Sequence, residues 1–154
     1  MRTAEYEAVM IQKTSKACSL CEDYAQRQAS KPIVVMSCEG GCLRGEVARR
    51  AANILCSQLA PEKTARLCLG GAFTKDTGQR ALARNATRIL AIEGCLIECA
   101  TRMMKGVIPS LEPEVIIADR LYDFDRKLFG IEEMPEFELN EHARALANTI
   151  AVRL

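Results

Sequence analysis

The sequence predicts an α/β domain, a three-layer sandwich around a mostly parallel sheet of about four strands, Rossmann-like in arrangement. Short apolar runs rich in Val, Ile and Leu recur from residue 32 onward, and an amphipathic or turn-rich stretch follows each of them. The runs carry few polar positions, as expected of strands covered on both faces. With 154 residues, the chain is long enough for one buried core. We therefore expect a single cysteine-rich domain over residues 32–154, preceded by an N-terminal extension over residues 1–31 that carries a Cys-x-x-Cys pair.

Four segments are predicted as strands because they are short, apolar and rich in β-branched residues. They are Pro32–Ser37, Ala65–Gly70, Thr87–Gly94 and Glu114–Leu121. Alternation of strands with helices implies right-handed crossovers and parallel strands. In such a sheet the ligand site lies beyond the carboxyl ends of the strands.

The clearest helix prediction covers Leu43–Ala60, where Val47, Ala51 and Leu55 recur at helical spacing and Pro61 follows the segment. Shorter amphipathic patterns predict three more helices. These are Thr74–Ala86, Leu96–Ile108 and a closing helix over residues 140–153 that is N-capped by Asn140.

The overall charge and the cysteine content limit the functional class. Lys and Arg (21) nearly balance Asp and Glu (20), so no overall field recruits nucleic acid or an anionic membrane. The N-terminus lacks a signal-peptide pattern and the apolar runs are interrupted by charge. We expect a cytoplasmic protein in which the eight cysteines are reduced thiols, available for a metal or for catalysis. The sequence does not predict the oligomeric state.

Several of these cysteines follow predicted strands. Cys38 ends the first strand, Cys68 lies near the end of the second, and Cys95 follows the third. Cys99 comes four residues after Cys95, and this spacing places both on one face of a helical first turn, close enough to share an ion. Zinc suits a shell of four thiolates, and iron or an iron–sulfur cluster is the chemical competitor. The sequence thus predicts a metal site at the carboxyl edge of the sheet.

The remaining thiols and the single histidine are weaker candidates. Cys56 falls on the apolar face of the long helix and is expected to pack in the core. Cys18 and Cys21 form a Cys-x-x-Cys pair, a spacing used by zinc ligands and by redox dithiols. His142 is expected to be solvated, which argues against histidine-based acid–base catalysis.

The first loop also supports an enzymatic alternative. Cys38 to Arg44 satisfies C-x5-R between a strand and a helix, where backbone amides and a guanidinium surround an anion that a thiolate attacks. The segment resembles the nucleophile loop of low-molecular-weight tyrosine phosphatases and arsenate reductases. In that resemblance Cys38 is the nucleophile and Arg44 holds a small oxyanion. The segment departs from that loop in three ways. The cysteine expected beside the arginine is one place early, at Cys42, and the expected Ser or Thr after the arginine is Gly45. No Asp-Pro pair supplies the general acid, and Asp119, Asp123 and Asp125 are only loosely placed substitutes.

A second resemblance covers residues 32–121. The segments "SCEGGCLRGEVARRAA", "ARLCLGGA" and "IEGCLIECA" occur in the same order as in the DGC-domain family, whose cysteines are expected to bind zinc. The resemblance implies Cys38, Cys68, Cys95 and Cys99 as zinc ligands. It also implies glycine partners at Gly40, Gly45 and Gly94. Glu93 replaces the family's aspartate, and Cys42 is an additional thiol that is available as a further ligand.

We therefore predict a zinc-binding protein, with the reaction, if any, left open. The enzymatic alternative is a cysteine-dependent phosphatase or arsenate reductase that uses Cys38 and Arg44. A third alternative is a redox or sensing module in which Cys38 with Cys42, or Cys18 with Cys21, cycles to a disulfide.

Overall fold

The computed structural model describes residues 4–154 and contains an all-parallel sheet in the order β2-β1-β3-β4. In its register Val34 pairs with Ala65, Val35 with Leu90, and Ala91 with Val115. The strands are β1 Ile33–Ser37, β2 Thr64–Arg66, β3 Arg88–Glu93 and β4 Glu114–Ile117. The predicted α/β class and the four predicted strand positions are confirmed.

The helices form layers on both faces of this sheet. They are α1 Ser19–Gln28, α2 Leu43–Ile54, α3 Leu69–Thr74, α4 Gly78–Arg84, α5 Cys99–Val107 and α6 Glu136–Ala151. Helix α2 and helix α6 cover one face, where Val35, Leu90 and Ile92 are buried. Helices α3, α4 and α5 lie on the other face, over Met36 and Ala91. The sheet is thus buried on both sides, which explains its apolar strands.

The predicted second strand is too long. Pairing continues only to Leu67, whose N–H donates to the carbonyl of Val35 at 2.8 Å. The N–H of Cys68 then donates to the side chain of Gln79 at 3.0 Å, and the chain turns into α3. A local apolar pattern cannot show this turn, because its acceptor lies eleven residues further along the chain. The fourth strand likewise ends at Ile117, before a 3-10 turn over Ala118–Arg120.

The helix boundaries also differ from the prediction. The α-helical hydrogen bonding of α2 ends at Ile54, and a π-helical segment follows over Leu55–Leu59. Together they cover almost all of the predicted helix over Leu43–Ala60. The predicted helix over Thr74–Ala86 is wrong at its start, because the chain forms two short helices, α3 and α4, on either side of residue 76.

The closing helix starts four residues earlier than predicted, at Glu136, with Pro135 and not Asn140 as the N-cap residue. Pro135 disfavours a helical backbone at the preceding residue, Met134, which is extended with φ of −124° and ψ of 134°. The carboxylates of Glu136 and Glu138 interact favourably with the positive end of the helix dipole. Asn140 lies inside the helix and accepts a hydrogen bond from Arg50 at 2.8 Å.

Helix α1 lies in the predicted N-terminal extension and has no counterpart among the predicted helices. Ala25 is its buried residue, so the helix gives almost no apolar periodicity in the sequence. Polar contacts attach it: the Tyr24 hydroxyl donates to the carbonyl of Arg66 in the edge strand β2 at 2.8 Å. Within residues 4–154, no helix combines the length and apolar character needed to cross a bilayer.

Candidate metal centre

The loop after β1 brings Cys38 to the carboxyl edge of the sheet. The N–H of Cys38 donates to the carbonyl of Ile92 in β3 at 3.0 Å, so the cysteine is still anchored to the sheet. Burial raises the pKa of the Cys38 thiol, and hydrogen bonds from the backbone amides of Gly40 and Gly94 lower it. The nearby Cys99 thiol and Glu93 raise it further. Cys38 therefore lies close to the loop that follows β3.

Cys99 is the first residue of α5 and lies near further thiols. Loss of solvent raises the pKa of its thiol, and Glu93 and the Cys95 thiol add to this rise. Cys42 raises it by a smaller amount. Cys42 is the N-cap residue of α2 and is half-buried, as is Cys95. Four thiols from the β1–α2 and β3–α5 loops thus share one region of the edge.

The predicted placement of Cys95 and Cys99 on a single helical turn is wrong. Helix α5 begins at Cys99, and Cys95 lies in the preceding turn. Between them, Glu98 adopts a left-handed conformation with φ of 53°, and its N–H donates to the carbonyl of Cys95 at 3.2 Å. A left-handed residue cannot continue a right-handed helix backward, so the predicted start at Leu96 is too early.

Glu93 sets the start of α5. Its side chain is fully buried and accepts hydrogen bonds from the backbone N–H groups of Ala100 at 3.3 Å and Thr101 at 2.6 Å. These amides belong to the first turn of the helix, where backbone donors have no partner within the helix. The carboxylate that replaces the aspartate of the resembled family is therefore a helix cap beneath the thiols and does not lie in solvent.

Glycines allow the two thiol-bearing loops to pack together. A Cβ atom on Gly94 would lie 2.7 Å from the backbone nitrogen of Gly45, and one on Gly45 would lie 2.9 Å from the sulfur of Cys38. Gly40 has a φ of +104°, which side-chain-bearing residues rarely adopt. All three positions are those that the family resemblance implies.

Cys68 lies among different neighbours. It is the N-cap residue of α3 and is exposed, and its N–H is held by the buried Gln79 side chain. Burial raises the pKa of the Cys21 thiol, and the nearby thiols of Cys18 and Cys68 raise it further. Cys68 is thus next to the Cys-x-x-Cys pair at the start of α1. No pattern in the sequence indicates this grouping, because it depends on the docking of α1.

The donor set fits zinc in kind, since thiolates are preferred zinc ligands. Within the described range 4–154, no group of three or more His, Cys, Asp or Glu side chains is arranged to hold a metal ion. Zinc binding by these thiols would therefore require the side chains to reorganise. Cys42, Cys95 and Cys99 lie in a loop or at a helix start, where such movement is least restricted.

The guanidinium of Arg44 is occupied by contacts within the protein and is not free to hold an oxyanion at Cys38. Its Nε lies 3.2 Å from a carboxylate oxygen of Asp119, and its two terminal nitrogens donate to the carbonyls of Leu128 and Arg126 at 2.9 and 3.1 Å. The guanidinium also lies over the ring of Phe124, 4.8 Å from its centroid. An anion at Cys38 could be clamped by Arg44 only if these contacts were given up.

The acidic residues considered as general acids, and Cys56, either make contacts that stabilise the fold or are exposed to solvent. Asp119 is ion-paired with Arg44 and Arg126, Asp123 is exposed, and Asp125 accepts a hydrogen bond from the N–H of Lys127. Cys56 packs against the core cluster, as predicted.

His142 does not match the sequence-based expectation of a solvated side chain. Its side chain is only 19% exposed and stacks on Tyr122 with ring centroids 4.7 Å apart.

An all-parallel sheet that collects thiols at its carboxyl edge defines a cysteine-rich α/β protein. The family model described as the DGC domain matches residues 34–151. The chain therefore belongs to the DGC-domain family. No curated protein and no solved structure matched it.

Proposed function

We propose that the protein binds zinc through thiolates at the carboxyl edge of the sheet, with Cys38, Cys95 and Cys99 as ligands. The observation that carries the proposal is that two separate loops bring these thiols into one region, over a buried cap that orients α5. The family resemblance implies the same three residues, and the match to the DGC-domain model covers all of them. The fourth ligand is Cys68, as the family pattern implies, or Cys42, which the structure brings nearer to Cys99.

Zinc in such a shell would cross-link the loops or, with an open position, act as a Lewis acid. The chain's own contribution is to hold the loops together through Gly45, Gly94 and Glu93. Eight free thiols are compatible with a reducing compartment, so a cytoplasmic location remains part of this proposal. Neither nucleic acid nor a membrane is proposed as a partner.

The phosphatase or arsenate reductase alternative has less support. Burial raises the pKa of the Cys38 thiol, which slows attack by Cys38 at neutral pH in the metal-free protein. The arginine expected to hold the anion is engaged with Asp119 and two backbone carbonyls. We therefore favour a metal ligand role for Cys38.

The test is competition titration of zinc against a chromophoric chelator, on protein kept anaerobic, with thiols counted before and after metal removal. We expect about one zinc per chain in the wild type. Serine replacement of Cys38, Cys95 or Cys99 should weaken binding more than about 100-fold, because outer partners of metal ligands already contribute 10- to 100-fold.

Cys56→Ser is the matched control, because Cys56 packs against the core away from these loops and should leave affinity unchanged. Cys42→Ser and Cys68→Ser are then compared, and the variant that binds zinc more weakly identifies the fourth ligand. Absence of zinc binding by the wild type, or equal affinity in all the variants, contradicts the proposal.

A further inference from the structure

The Cys-x-x-Cys pair occupies defined positions at the start of α1. Cys18 is the N-cap residue, with φ of −99° and ψ of 103°, and Cys21 is the third residue of the helix. Side chains at these two positions lie beside each other, which is the geometry that allows a capping box to form. The fold of α1 therefore holds the two thiols as neighbours.

Helix α1 is docked firmly on the domain. Both carboxylate oxygens of Glu22 accept the N–H of Gly78, each at 2.9 Å, at the start of α4. A Cβ atom on Gly78 would lie 2.9 Å from the Cβ of Ala25, so the two helices are in close contact there. The thiol pair consequently has a fixed place at the edge of the sheet.

Gln79 connects this pair to a third thiol. The side chain of Gln79 is buried, with 2% exposure. Its amide nitrogen lies 4.0 Å from the sulfur of Cys21, and its oxygen accepts the N–H of Cys68 at 3.0 Å. Cys18, Cys21 and Cys68 line one open cleft of about 560 Å³ together with Arg66.

Arg66 is the charged residue among those that line this cleft. Its guanidinium donates to the side chains of Asn53 at 2.9 Å and Ser37 at 2.7 Å, and to the carbonyl of Leu67 at 3.0 Å. Within residues 4–154 it forms no salt bridge with a carboxylate. An uncompensated cation on the wall of a cleft favours an anionic ligand.

We propose that Cys18 and Cys21 form a redox-active dithiol whose substrate is an anionic, low-molecular-weight disulfide bound in the cleft beside Arg66. The exposed Cys18, as thiolate, attacks one sulfur of the small disulfide, and the cleaved sulfur–sulfur bond releases one small thiol after protonation. Cys21 then attacks the Cys18 sulfur, and the second small thiol leaves with the remaining proton. The two electrons and two protons of the protein dithiol are thereby transferred to the small disulfide. Neither thiol is among the proposed zinc ligands, so this activity is independent of the zinc site if Cys42 is the fourth ligand. Cys68 lines the same cleft, and its use as the fourth ligand would couple the two sites.

Oxidised glutathione is the probe, added to the full chain under anaerobic conditions, with disulfides located by peptide mass analysis. The expected first product is an intramolecular Cys18–Cys21 disulfide. Cys21→Ser should instead accumulate a stable glutathione adduct on Cys18, because the resolving thiol is gone. A first disulfide between other residues, or no adduct on Cys18 in this variant, overturns the proposal.

The charge of the substrate is tested with cystamine, a cationic disulfide. Each rate is divided by the rate of the same reagent with the urea-unfolded chain, which removes the difference in intrinsic reactivity. Oxidised glutathione should then be favoured by at least about tenfold, the lower end of electrostatic steering effects. Equal normalised rates overturn the assigned substrate class. Loss of zinc from Cys18→Ser would make these thiols metal ligands and would also overturn the proposal, whereas loss from Cys99→Ser alone bears only on the zinc site.

Discussion

The carboxylate of Glu93 accepts a hydrogen bond of 2.6 Å from the backbone N–H of Thr101, and the Glu93 side chain is fully buried. This contact connects the last residue of β3 to the first turn of α5. The chain between them carries Gly94 and Cys95, and Cys99 begins the helix. The position of two predicted zinc ligands relative to the sheet therefore depends on one buried side chain.

Replacement of Glu93 by alanine should lower the free energy of unfolding of the metal-free protein by about 2 kcal/mol, because buried N–H groups lose their acceptor. Urea denaturation in the presence of a chelator measures this change. The same variant should weaken zinc binding about 10- to 100-fold, as loss of an outer partner does at other metal sites.

Glu112→Ala is the control, because the Glu112 side chain is 84% exposed and its pair with Lys105 lies on the surface. It should change stability by less than about 0.5 kcal/mol. Equal effects of the two substitutions would show that the Glu93 cap is not important for stability.

The sequence predicted those features that depend on local pattern. The four strands follow from their apolar runs, and the placement of Cys38 and Cys95 after strands follows from parallel topology. The start of α5 was missed because it depends on the left-handed Glu98 and on the side chain of Glu93. Neither feature leaves a periodic signal, since both are set by contacts made after the chain has folded.

The grouping of Cys68 with Cys21 was missed for a related reason. It requires α1 to dock on α4 through polar contacts of Glu22 and Cys21, with no apolar stripe to indicate them. Arg44 shows the opposite problem. Its spacing from Cys38 matches a known loop, but the distant Asp119 and the carbonyl of Leu128 determine where its guanidinium points.

Gly94→Ala should disrupt the thiol region, because the added Cβ would lie 2.7 Å from the backbone nitrogen of Gly45. Backbone atoms cannot move aside as a flexible side chain can, so we expect a loss of about 1–3 kcal/mol in stability together with weaker zinc binding. Thermal unfolding and zinc competition measure the two effects. Gly106→Ala in α5 is the matched control, because no atom other than its own chain neighbours and helix backbone lies within 4 Å of the added Cβ. It should stabilise the helix by up to about 1 kcal/mol, and the same loss in both variants would argue against the packing explanation.

Arg44→Lys should loosen the segment over residues 119–130 without altering zinc affinity. Lysine keeps the charge but cannot donate at once to Asp119 and to the carbonyls of Leu128 and Arg126. We expect amide hydrogen exchange in this segment to become about tenfold faster, which corresponds to about 1.4 kcal/mol. Arg102→Lys, at an exposed position of α5, is the control and should change neither property. If Arg44→Lys leaves amide exchange unchanged but abolishes binding of phosphate or arsenate, the result would instead favour the enzymatic alternative.

Cys38 should be alkylated slowly at neutral pH in the metal-free protein. Burial raises the pKa of its thiol above the ordinary value of 9.0, so the reactive thiolate is scarce at pH 7 and increases as the pH rises toward that pKa. Iodoacetamide labelling followed peptide by peptide between pH 6 and pH 10 tests this expectation, with the urea-unfolded chain as the reference. The rate at Cys38 should stay below the reference at neutral pH and still rise above pH 9. A rate that is already at its plateau below pH 7 would indicate an activated nucleophile and would support the phosphatase alternative.

Glu46 should stabilise the packing of α2 in a pH-dependent way. Hydrogen bonds from Arg49, and more weakly from Arg50, hold the pKa of Glu46 below its ordinary value of 4.5, although burial acts in the opposite direction. A lowered pKa in the folded state means that the carboxylate contributes its full stability above the unfolded pKa, and loses it as the pH falls through the folded value. Glu46→Gln should therefore cost about 1–3 kcal/mol at pH 7, the range for hydrogen bonds to charged groups. Urea denaturation at pH 7 should show the full difference from the wild type, and the difference should shrink at pH values below 4. Glu112→Gln is the control and should show no such pH dependence. If the stability difference between Glu46→Gln and the wild type is constant from pH 7 to pH 3, the charge of Glu46 plays no part in stability.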